Sequence, residues 1–396
     1  MKHRRLLAAL LTAAVAAAQL VLPAGSGSAA APASAAFVSW SLQTNEVTQL
    51  APGVMQTVGT YTLDGSVSNY WRISFTKDSG AKLRVVLPND GTSTGLDTVR
   101  HMADSAVLHG ENVVAAVNGD MYNMSTGEPW GVVYREGQLL HGNNVAGRDW
   151  DFVGYGKDGS LLGGSAADFD RMWPQLDQAM GLHMVLVENG ANVCSDASAT
   201  RAPRTAIGMR SDGEIFLVAV DGRSSASAGL SLTEMADLMV KLGAVWAGNL
   251  DGGGSTTVVS REVGADALSV QNNPSDGSER RVANAWLITV PGSPTQAQID
   301  ASDLAVNGRV VSDTTAPLTL RPGQSYQFRM TVQAGSGAPN CFVDDTSRFR
   351  VEYKGSSGRD YFFRVTALSA SSGSVGVYTQ LPGGSAERQC TLNLAA

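Results

Sequence analysis

The chain has 396 residues, of which 43% are apolar, and this length suits a globular protein of two or three domains. Its formal net charge of −7 argues against nonspecific binding of nucleic acid, which needs a basic face, but does not exclude anionic substrates. An aromatic content of 7% and 44 glycines indicate many turns and short strands.

The first 36 residues have the layout of a secretory signal peptide. Three basic residues precede an apolar run over residues 6–22, and small residues at 33–35 provide a cleavage site. No later segment approaches the roughly 18 consecutive apolar residues that a membrane span needs. We therefore expect the mature protein to be secreted and extracellular, and association with the cell envelope is compatible with that location.

The three cysteines are Cys194, Cys341 and Cys390. In an oxidising compartment, two of them are expected to form a disulfide bond. Cys341 and Cys390 share the C-terminal region of the chain. We therefore predict that these two pair and that Cys194 stays free.

Up to residue 290 the chain alternates strand and helix patterns. Runs of alternating or β-branched apolar residues predict strands at 54–58, 71–75, 82–87, 111–120, 214–221, 244–250 and 282–290. Helical spacing of apolar residues predicts helices at 98–109, 168–180 and 232–241, the second interrupted by Pro174. The third begins with a capping box formed by Ser231 and Glu234.

Three of these strands end in an acid paired with glycine. A helical crossover of about this length normally joins parallel strands, so Asp221 and Asp251 should leave the same edge of one sheet. Asn118-Gly119-Asp120 also ends a strand that follows a helix, and we expect it at the same edge. Ligands bind beyond the carboxyl ends of such strands, so the pattern predicts a functional site there.

The stretch after Asp251 carries the strongest local signal. Three glycines follow this acid, and Ser255, Thr256 and Thr257 come next. Consecutive glycines are kept where the backbone is left-handed or where another group approaches closely. No lysine follows them, so the stretch is not a nucleotide-binding P-loop. An acid beside a glycine turn suits a sugar, a phosphate or a metal ion.

A proline- and glycine-rich linker over 291–295 separates this region from a β-rich C-terminal part. Short alternating strands with regularly spaced turns there predict a small β-sandwich. We therefore predict an α+β protein, with a mixed β-sheet catalytic domain that has few helices, followed by a small all-β sandwich. The predicted boundaries are 1–36 for the signal peptide, 37–292 for the catalytic domain and 298–396 for the sandwich.

Five sequence blocks within residues 110–290 resemble the signature blocks of the phosphodiester glycosidase family and occur in the family's order. They are Val117-Asn-Gly-Asp120, Arg201-Ala-Pro-Arg-Thr-Ala-Ile-Gly208, Val220-Asp-Gly-Arg223, Asn249-Leu-Asp-Gly-Gly-Gly-Ser-Thr-Thr257 and Asn273-Pro-Ser-Asp-Gly-Ser-Glu-Arg280. Asp120 departs from the family pattern, in which a second glycine follows Asn-Gly. The resemblance implies hydrolysis of a sugar-1-phosphate diester at the anomeric carbon, and it does not extend to the C-terminal sandwich.

The resemblance also implies roles for individual residues. Asp251 is expected to be the principal catalytic carboxylate, with Asp221 as its partner and Glu279 as a further candidate for the acid–base pair. Arg204 is expected to hold the phosphate with backbone N–H groups of the glycine turn, because a guanidinium matches a phosphate in two parallel hydrogen bonds. The full predicted substrate-binding set is Arg204, Asn118, Asp120, Gly253, Gly254, Ser255, Thr256, Arg223, Asn273 and Ser275.

The expected partner is a glycan or sugar-phosphate substrate. No cofactor is expected to be required, although clustered carboxylates are compatible with a Ca²⁺ ion whose ligands the sequence does not identify. Two other functions fit the same residues. The first is a glycoside hydrolase that acts without a phosphate, and the second is a noncatalytic carbohydrate-binding surface protein.

Overall fold

The computed structural model describes residues 39–142, 150–334, 337–368 and 372–395, so the predicted signal peptide lies outside the described residues. The helices within these ranges are α1 (Val99–Leu108), α2 (Ala166–Met172), α3 (Leu232–Lys241) and α4 (Gln296–Asn307). The strands before α4 are β1 (Trp40–Ala51), β2 (Val54–Leu63), β3 (Ser66–Phe75), β4 (Lys82–Val86), β5 (Val113–Asn118), β6 (Val133–Arg135), β7 (Gln138–His141), β8 (Asp151–Gly156), β9 (Leu161–Gly164), β10 (Leu176–Leu182), β11 (Met184–Glu188), β12 (Ala191–Asn192), β13 (Arg204–Arg210), β14 (Ile215–Val220), β15 (Ala244–Asn249), β16 (Val258–Ser260), β17 (Ser269–Val270) and β18 (Ala285–Thr289). The strands after it are β19 (Arg309–Ser312), β20 (Leu318–Leu320), β21 (Ser325–Ala334), β22 (Asn340–Val343), β23 (Phe349–Ser357), β24 (Asp360–Ala367), β25 (Gly373–Gln380) and β26 (Glu387–Leu394).

Three sheets form the part of the chain before α4. The eight-stranded sheet has the order β1-β2-β3-β14-β13-β15-β11-β12, and the two five-stranded sheets have the orders β7-β6-β10-β8-β9 and β17-β16-β5-β18-β4. Two four-stranded sheets, β19-β21-β24-β23 and β20-β26-β25-β22, follow α4. The prediction of a β-rich protein with few helices is confirmed. The predicted mixed sheet is wrong, because neighbouring strands of the three sheets before α4 pair antiparallel wherever the structure describes them.

The main core lies between the eight-stranded sheet and the two five-stranded sheets. Its members include Ile73, Leu217, Val85, Val153 and Trp286, all buried. Helix α3 covers the opposite face of the eight-stranded sheet, and α1 covers the opposite face of the sheet that contains β5. Strands β5, β14 and β18 are therefore buried along their whole length, which explains their uninterrupted apolar sequences.

The predicted crossover through α3 is present in the eight-stranded sheet. Strands β14 and β15 both pair antiparallel with β13, so they run parallel to each other on either side of it. The capping box is also formed, since the Ser231 side chain accepts the Glu234 N–H and the Glu234 side chain accepts the Ser231 N–H. Asp221 and Asp251, which follow these two strands, consequently leave the same edge of the sheet, as predicted.

Two helix predictions need correction. Residues 176–180 belong to β10 rather than to a helix, because α2 ends at Met172 and the chain then pairs with β6 and β8 on both sides. Residues 296–307 form α4, which the sequence reading missed although Thr295 and Gln298 make a capping box at its start. Helix α4 packs against α1, where the Ser302 hydroxyl donates to Asp104 Oδ1 at 3.2 Å.

The predicted disulfide bond is absent, and Cys341 and Cys390 are both free thiols in the core of the C-terminal sheets. Cys341 lies on β22 and Cys390 on β26, and β25 runs between these strands. Strands separated by a third strand are about 10 Å apart. The Cα atoms of a disulfide lie within roughly 7 Å, so these two cysteines cannot bridge without moving a strand. Cys194 is free, as predicted.

Within the described part of the chain, no helix has the length and apolar character to cross a bilayer.

Candidate active site

The predicted site forms where β13 begins and its neighbours β14 and β15 end. Arg204 pairs with Val220 on one side of β13, and Leu250 N–H donates to Thr205 O at 2.9 Å on the other. Arg204 therefore lies between the strands that lead to Asp221 and Asp251. The crossover topology thus brings an arginine and two acids from distant segments to one sheet edge.

A second sheet delivers Asn118 and Asp120 to the same place. Strand β5 belongs to a different sheet from β15, yet Asp251 N–H donates to Gly119 O at 2.9 Å, and Asn118 Nδ2 donates to Asp251 O at 2.8 Å. Asn118 Oδ1 accepts the Thr205 hydroxyl at 2.8 Å and the Thr257 N–H at 3.1 Å. Asn118 is completely buried and holds the backbone of Asp251 in place. The substrate contact of Asn118 remains a prediction. The hydrogen bonds of its side chain favour a role in positioning Asp251.

The Asp251 carboxyl lies in a partly buried position with guanidinium groups nearby. Burial raises its pKa above the usual range, whereas the Ser255 hydroxyl, the Gly252 N–H and the guanidinium groups of Arg280 and Arg204 lower it. The Gly252 N–H donates to Asp251 Oδ1 at 2.8 Å. The Ser255 hydroxyl approaches the carboxyl without a well-aligned hydrogen bond to it. The arginines thus favour the charged form that burial disfavours.

The last two of the three glycines after Asp251 lie against arginines. A methyl group on Gly252 would lie 2.8 Å from Pro203 O, whereas one on Gly253 would lie 3.2 Å from Arg223 Nη2. A methyl group on Gly254 would lie only 2.1 Å from Arg280 Nη2. Gly253 also has a φ of +64°, which alanine rarely adopts. Gly253 and Gly254 therefore make room for the guanidinium groups of Arg223 and Arg280, whereas Gly252 makes room for the Pro203 carbonyl, next to Arg204.

Two of these arginines have no carboxylate partner among the described residues. Arg204 Nε donates to Leu230 O at 2.9 Å and Nη2 donates to Thr200 O at 3.1 Å, while burial and the neighbouring Arg223 lower its pKa. Arg223 is exposed and has a positive φ of 60°. Arg280 forms an ion pair with Asp276 at 2.8 Å. The positive charge beside Asp251 is thus only partly neutralised, which suits an anionic ligand.

Asp120 is the carboxyl whose charge is coupled to that of Asp251. Its two oxygens accept the N–H groups of Met121 and Gly131, each at 2.7 Å. Burial raises its pKa to about 7, and the negative charge of Asp251 adds to the increase. Two neighbouring carboxyls whose environments differ are the usual arrangement for an acid and a base at neutral pH. Asp120, predicted as a substrate-binding residue, is therefore the better-placed partner of Asp251.

Asp221 has a different environment from the one predicted for a catalytic partner. Its carboxylate accepts Asn272 Nδ2 at 3.0 Å, Asn273 N–H at 3.0 Å and Asn273 Nδ2 at 3.2 Å. Burial raises its pKa, and these hydrogen bonds oppose that effect. Asp221 therefore anchors the start of the loop over residues 272–281. A catalytic role for Asp221 and a substrate contact for Asn273 remain predictions.

Glu279 lies at the start of α1 and has no described contact with Asp251. Its Oε1 accepts the Arg100 N–H at 3.1 Å, and its Oε2 lies 3.6 Å from Arg100 Nε. A carboxylate at a helix N-terminus satisfies a free backbone donor and the helix dipole. Its contacts therefore favour a structural role over the predicted catalytic one.

The glycine turn offers fewer backbone donors than predicted. The Gly253 N–H donates to Pro203 O at 2.9 Å, and the Ser255 N–H donates to Gly252 O at 3.3 Å. Thr256 is buried, and its hydroxyl accepts that of Thr205 at 3.4 Å. The hydroxyl of Ser275 is buried and has no hydrogen-bond partner in the described structure. Side chains rather than backbone N–H groups therefore dominate the site.

Aromatic residues that the sequence reading did not single out form a cluster that begins next to the backbone donor to Asp120. Trp130 directly precedes Gly131, the donor to Asp120, and its ring lies 5.0 Å from that of Trp150. The ring centroid of His183 lies 5.9 Å from that of Trp150, and the backbone N–H of His183 donates to Asn249 O at 3.0 Å. In the sequence, only the aromatic residues in the loop after Asp120 pointed to this cluster. Aromatic rings near a carboxyl site suit the apolar face of a sugar.

Arg280 is the other functional candidate that the sequence reading missed. It occurs in a polar loop with two acids and two arginines, which reads as a solvated surface when the segment is taken alone. Its position at the end of the fifth family-like block was the available signal. In the structure its charge lowers the pKa of Asp251.

Within the described ranges, no group of three histidine, cysteine or acidic residues is arranged to hold a metal ion. The Ca²⁺ ion considered from the sequence therefore has no identified ligand set.

Comparison with known proteins shows which family these residues resemble. Residues 111–289 match the family model described as phosphodiester glycosidase. The SPβ prophage-derived uncharacterized protein YomE of Bacillus subtilis is 29% identical over 227 residues, covering 53% of this chain and 33% of that protein. The mouse N-acetylglucosamine-1-phosphodiester alpha-N-acetylglucosaminidase is 31% identical over 176 residues, covering 39% of this chain and 33% of the enzyme.

Among solved structures, the catalytic domain of the zebrafish N-acetylglucosamine-1-phosphodiester alpha-N-acetylglucosaminidase, auto-inhibited by its pro-peptide, aligns with 63% of this chain. The alignment has 20% identity and a TM-score of 0.48 and covers 88% of that domain. The chain spans about a third of the length of the curated relatives that it matches. Residues 111–289 are therefore similar to the phosphodiester glycosidase family.

Proposed function

We propose that the protein is a secreted hydrolase that cleaves the glycosidic bond of sugar-1-phosphodiesters in cell-envelope or extracellular glycans. One observation carries the proposal: the guanidinium groups of Arg204 and Arg280 lie close enough to the partly buried Asp251 carboxyl to lower its pKa, and Arg223 lies beside the glycine turn that follows it. A glycosidase that acts on a neutral leaving group gains nothing from so much positive charge. A bound phosphodiester carries one negative charge. The phosphomonoester that leaves after cleavage carries more negative charge than the diester did.

In the proposed reaction the bond between the anomeric carbon and the phosphate oxygen breaks, and that oxygen stays with the phosphate. Water supplies the new hydroxyl group of the sugar, so the products are a free sugar and a phosphomonoester. Arg204, Arg223 and Arg280 stabilise the charge that the phosphate gains as it leaves. Such a leaving group is a weak base, so it needs little help from a general acid.

Asp251 is the residue that would act at the anomeric carbon, either by attacking it or by removing a proton from water. Either role needs its charged form, and nearby guanidinium groups oppose the rise in its pKa that burial causes. Asp120, with a pKa of about 7, would carry the exchangeable proton of the pair. Trp130 would pack against the sugar ring and set its orientation between the two carboxyls.

The test compares two substrates that share a sugar. One is a methyl phosphodiester of N-acetylglucosamine-1-phosphate, chosen from the name of the mammalian relatives, and the other is the matching aryl glycoside. Hydrolysis of the diester alone supports the proposal. Hydrolysis of both at similar kcat/KM would indicate an ordinary glycoside hydrolase. If a panel of sugar-1-phosphodiesters is bound but never cleaved, the protein is a carbohydrate-binding protein.

A further inference from the structure

A groove beside the candidate active site carries a second set of basic residues. The groove has a volume of about 680 Å³ and lies between the start of α1, the loop over 272–281 and the C-terminal sheets. Arg100, His101, Arg281 and Arg359 line it, and Asp97 is the one acidic residue among the lining residues that the structure describes.

The groove begins one residue away from the candidate active site. Arg280 lies over Gly254 and influences Asp251, whereas the next residue, Arg281, lines the groove and donates to Leu96 O. The Tyr122 hydroxyl donates to Arg281 O at 2.9 Å, and the pKa of Tyr122 responds to Asp251 and Arg280. One stretch of loop therefore presents one guanidinium to the carboxylate site and the next to the groove.

The groove retains positive charge after its internal ion pairs are counted. Asp97 lies 2.5 Å from His101 Nδ1, and Arg100 lies 3.4 Å from Asp104 and 3.6 Å from Glu279. Arg281 and Arg359 have only backbone oxygens as hydrogen-bond partners in the described structure, Arg359 donating to Gln333 O at 2.7 Å.

These two arginines come from distant parts of the chain, Arg281 from the loop over 272–281 and Arg359 from the turn between β23 and β24. A basic groove on a protein of net charge −7 indicates an anionic ligand.

We propose that this groove binds a second phosphodiester of a polymeric substrate, a glycan whose sugar units are joined through phosphodiesters. The inference rests on the proposed function. A substrate with one phosphate is already matched by Arg204, Arg223 and Arg280. A chain that continues past the loop brings a further phosphate to Arg281 and Arg359, whose planar guanidinium groups suit it. The C-terminal sheets thereby take part in substrate binding.

Binding of two synthetic probes to the full-length Asp251→Asn protein tests this proposal without turnover. One probe is a fluorescent tetramer of N-acetylglucosamine-1-phosphate repeats joined by phosphodiesters, and the other is a single repeat. We expect the Arg281→Gln/Arg359→Gln double variant to bind the tetramer about 10-fold more weakly or worse, with unchanged binding of the single repeat. Its tetramer affinity should also depend less steeply on salt.

The matched control is Arg171→Gln/Arg350→Gln, which removes two charges from exposed positions of 71% and 58% side-chain accessibility. It should bind both probes like the parent protein. Equal tetramer binding by the groove variant and the parent would overturn the proposal, and so would an equal loss for both probes. If single-stranded DNA with the same number of phosphates binds as tightly as the tetramer, the groove is not specific for a glycan and the proposal is overturned.

The outcome of this experiment is separable from that of the proposed function. Hydrolysis of the single-repeat diester is measured in parallel on the protein with Asp251 intact. If tetramer binding depends on Arg281 and Arg359 but no hydrolysis is detected, the proposed ligand of the groove stands and the proposed hydrolysis is refuted. Thermal unfolding of each variant identifies any effect that arises from misfolding.

Discussion

Replacing Gly254 by alanine tests whether the glycine run exists to admit Arg280. The added methyl group would lie 2.1 Å from Arg280 Nη2 and 2.3 Å from Asp276 Oδ2. Ordinary contacts begin near 3.4 Å, so the Arg280–Asp276 pair must shift by at least about 1 Å. A displacement of about 1 Å at a catalytic group costs on the order of 100-fold in rate. Gly254 is not among the residues with positive φ, so its backbone accepts alanine without strain.

The assay is kcat/KM for a sugar-1-phosphodiester, measured for Gly254→Ala, Arg280→Gln and the double variant. We expect a loss of about 100-fold for Gly254→Ala and of roughly 100- to 1000-fold for Arg280→Gln, since the latter removes a donor to the departing phosphate. The double variant should be no slower than Arg280→Gln alone, because the alanine then has no guanidinium to displace. The control is Gly384→Ala, where the nearest neighbour would be 3.5 Å away.

Two results would refute this reasoning. One is a folded Gly254→Ala protein with the wild-type rate, which would mean that the position of Arg280 does not matter. The other is a double variant whose losses multiply, which would mean that the alanine acts through some other group. Thermal unfolding should show little change in any of these variants, because the displaced groups are the ends of partly exposed side chains.

Three further predictions concern the buried carboxyls. Asp251→Asn should abolish turnover while leaving binding of a sugar-1-phosphodiester largely intact in calorimetry, and full activity would contradict the assignment. The pH–rate profile of the wild type should show an apparent pKa near 7 that Asp120→Asn removes, since burial raises the pKa of Asp120 to about 7. Burial also raises the pKa of Asp104 to about 7. The folded protein therefore holds this proton more tightly than the unfolded chain, and stability falls as pH rises from about 4 to 7, by up to about 4 kcal/mol. In urea unfolding, Asp104→Asn should reduce this decline, and an unchanged slope would contradict the prediction.

The sequence predicted the sheet edge because its signals there are local and strong. Strands β14 and β15 are continuous apolar runs, and the capping box at Ser231 marks the helix between them. A crossover of that kind forces its two strands to run in the same direction. The placement of Asp221 and Asp251 at one edge follows from these facts, even though the intervening strand β13 was not predicted to separate them.

The separate roles of the acidic residues could not be predicted from such local sequence signals. Asp120, Asp221 and Glu279 look alike in sequence, since each stands in a polar, turn-rich segment near a glycine. What separates them is the set of hydrogen bonds that each accepts after folding. Asp221 holds the 272–281 loop, Glu279 holds the start of α1, and only Asp120 is coupled electrostatically to Asp251.

The glycine run marks the predicted site correctly, but the sequence suggested the wrong groups for binding the phosphate. Read from the sequence, three glycines after an acid suggest backbone N–H groups turned toward a phosphate. After folding, the Gly253 N–H is bonded to Pro203 O, and the guanidinium groups of Arg223 and Arg280 lie where side chains on Gly253 and Gly254 would be. These two arginines and Arg204 come from three different segments, so nothing near the glycines encodes them. A phosphate bound by side chains is sensitive to each arginine separately, whereas one bound by backbone N–H groups would be insensitive to all three. Single Arg204→Gln, Arg223→Gln and Arg280→Gln variants therefore distinguish the two mechanisms directly.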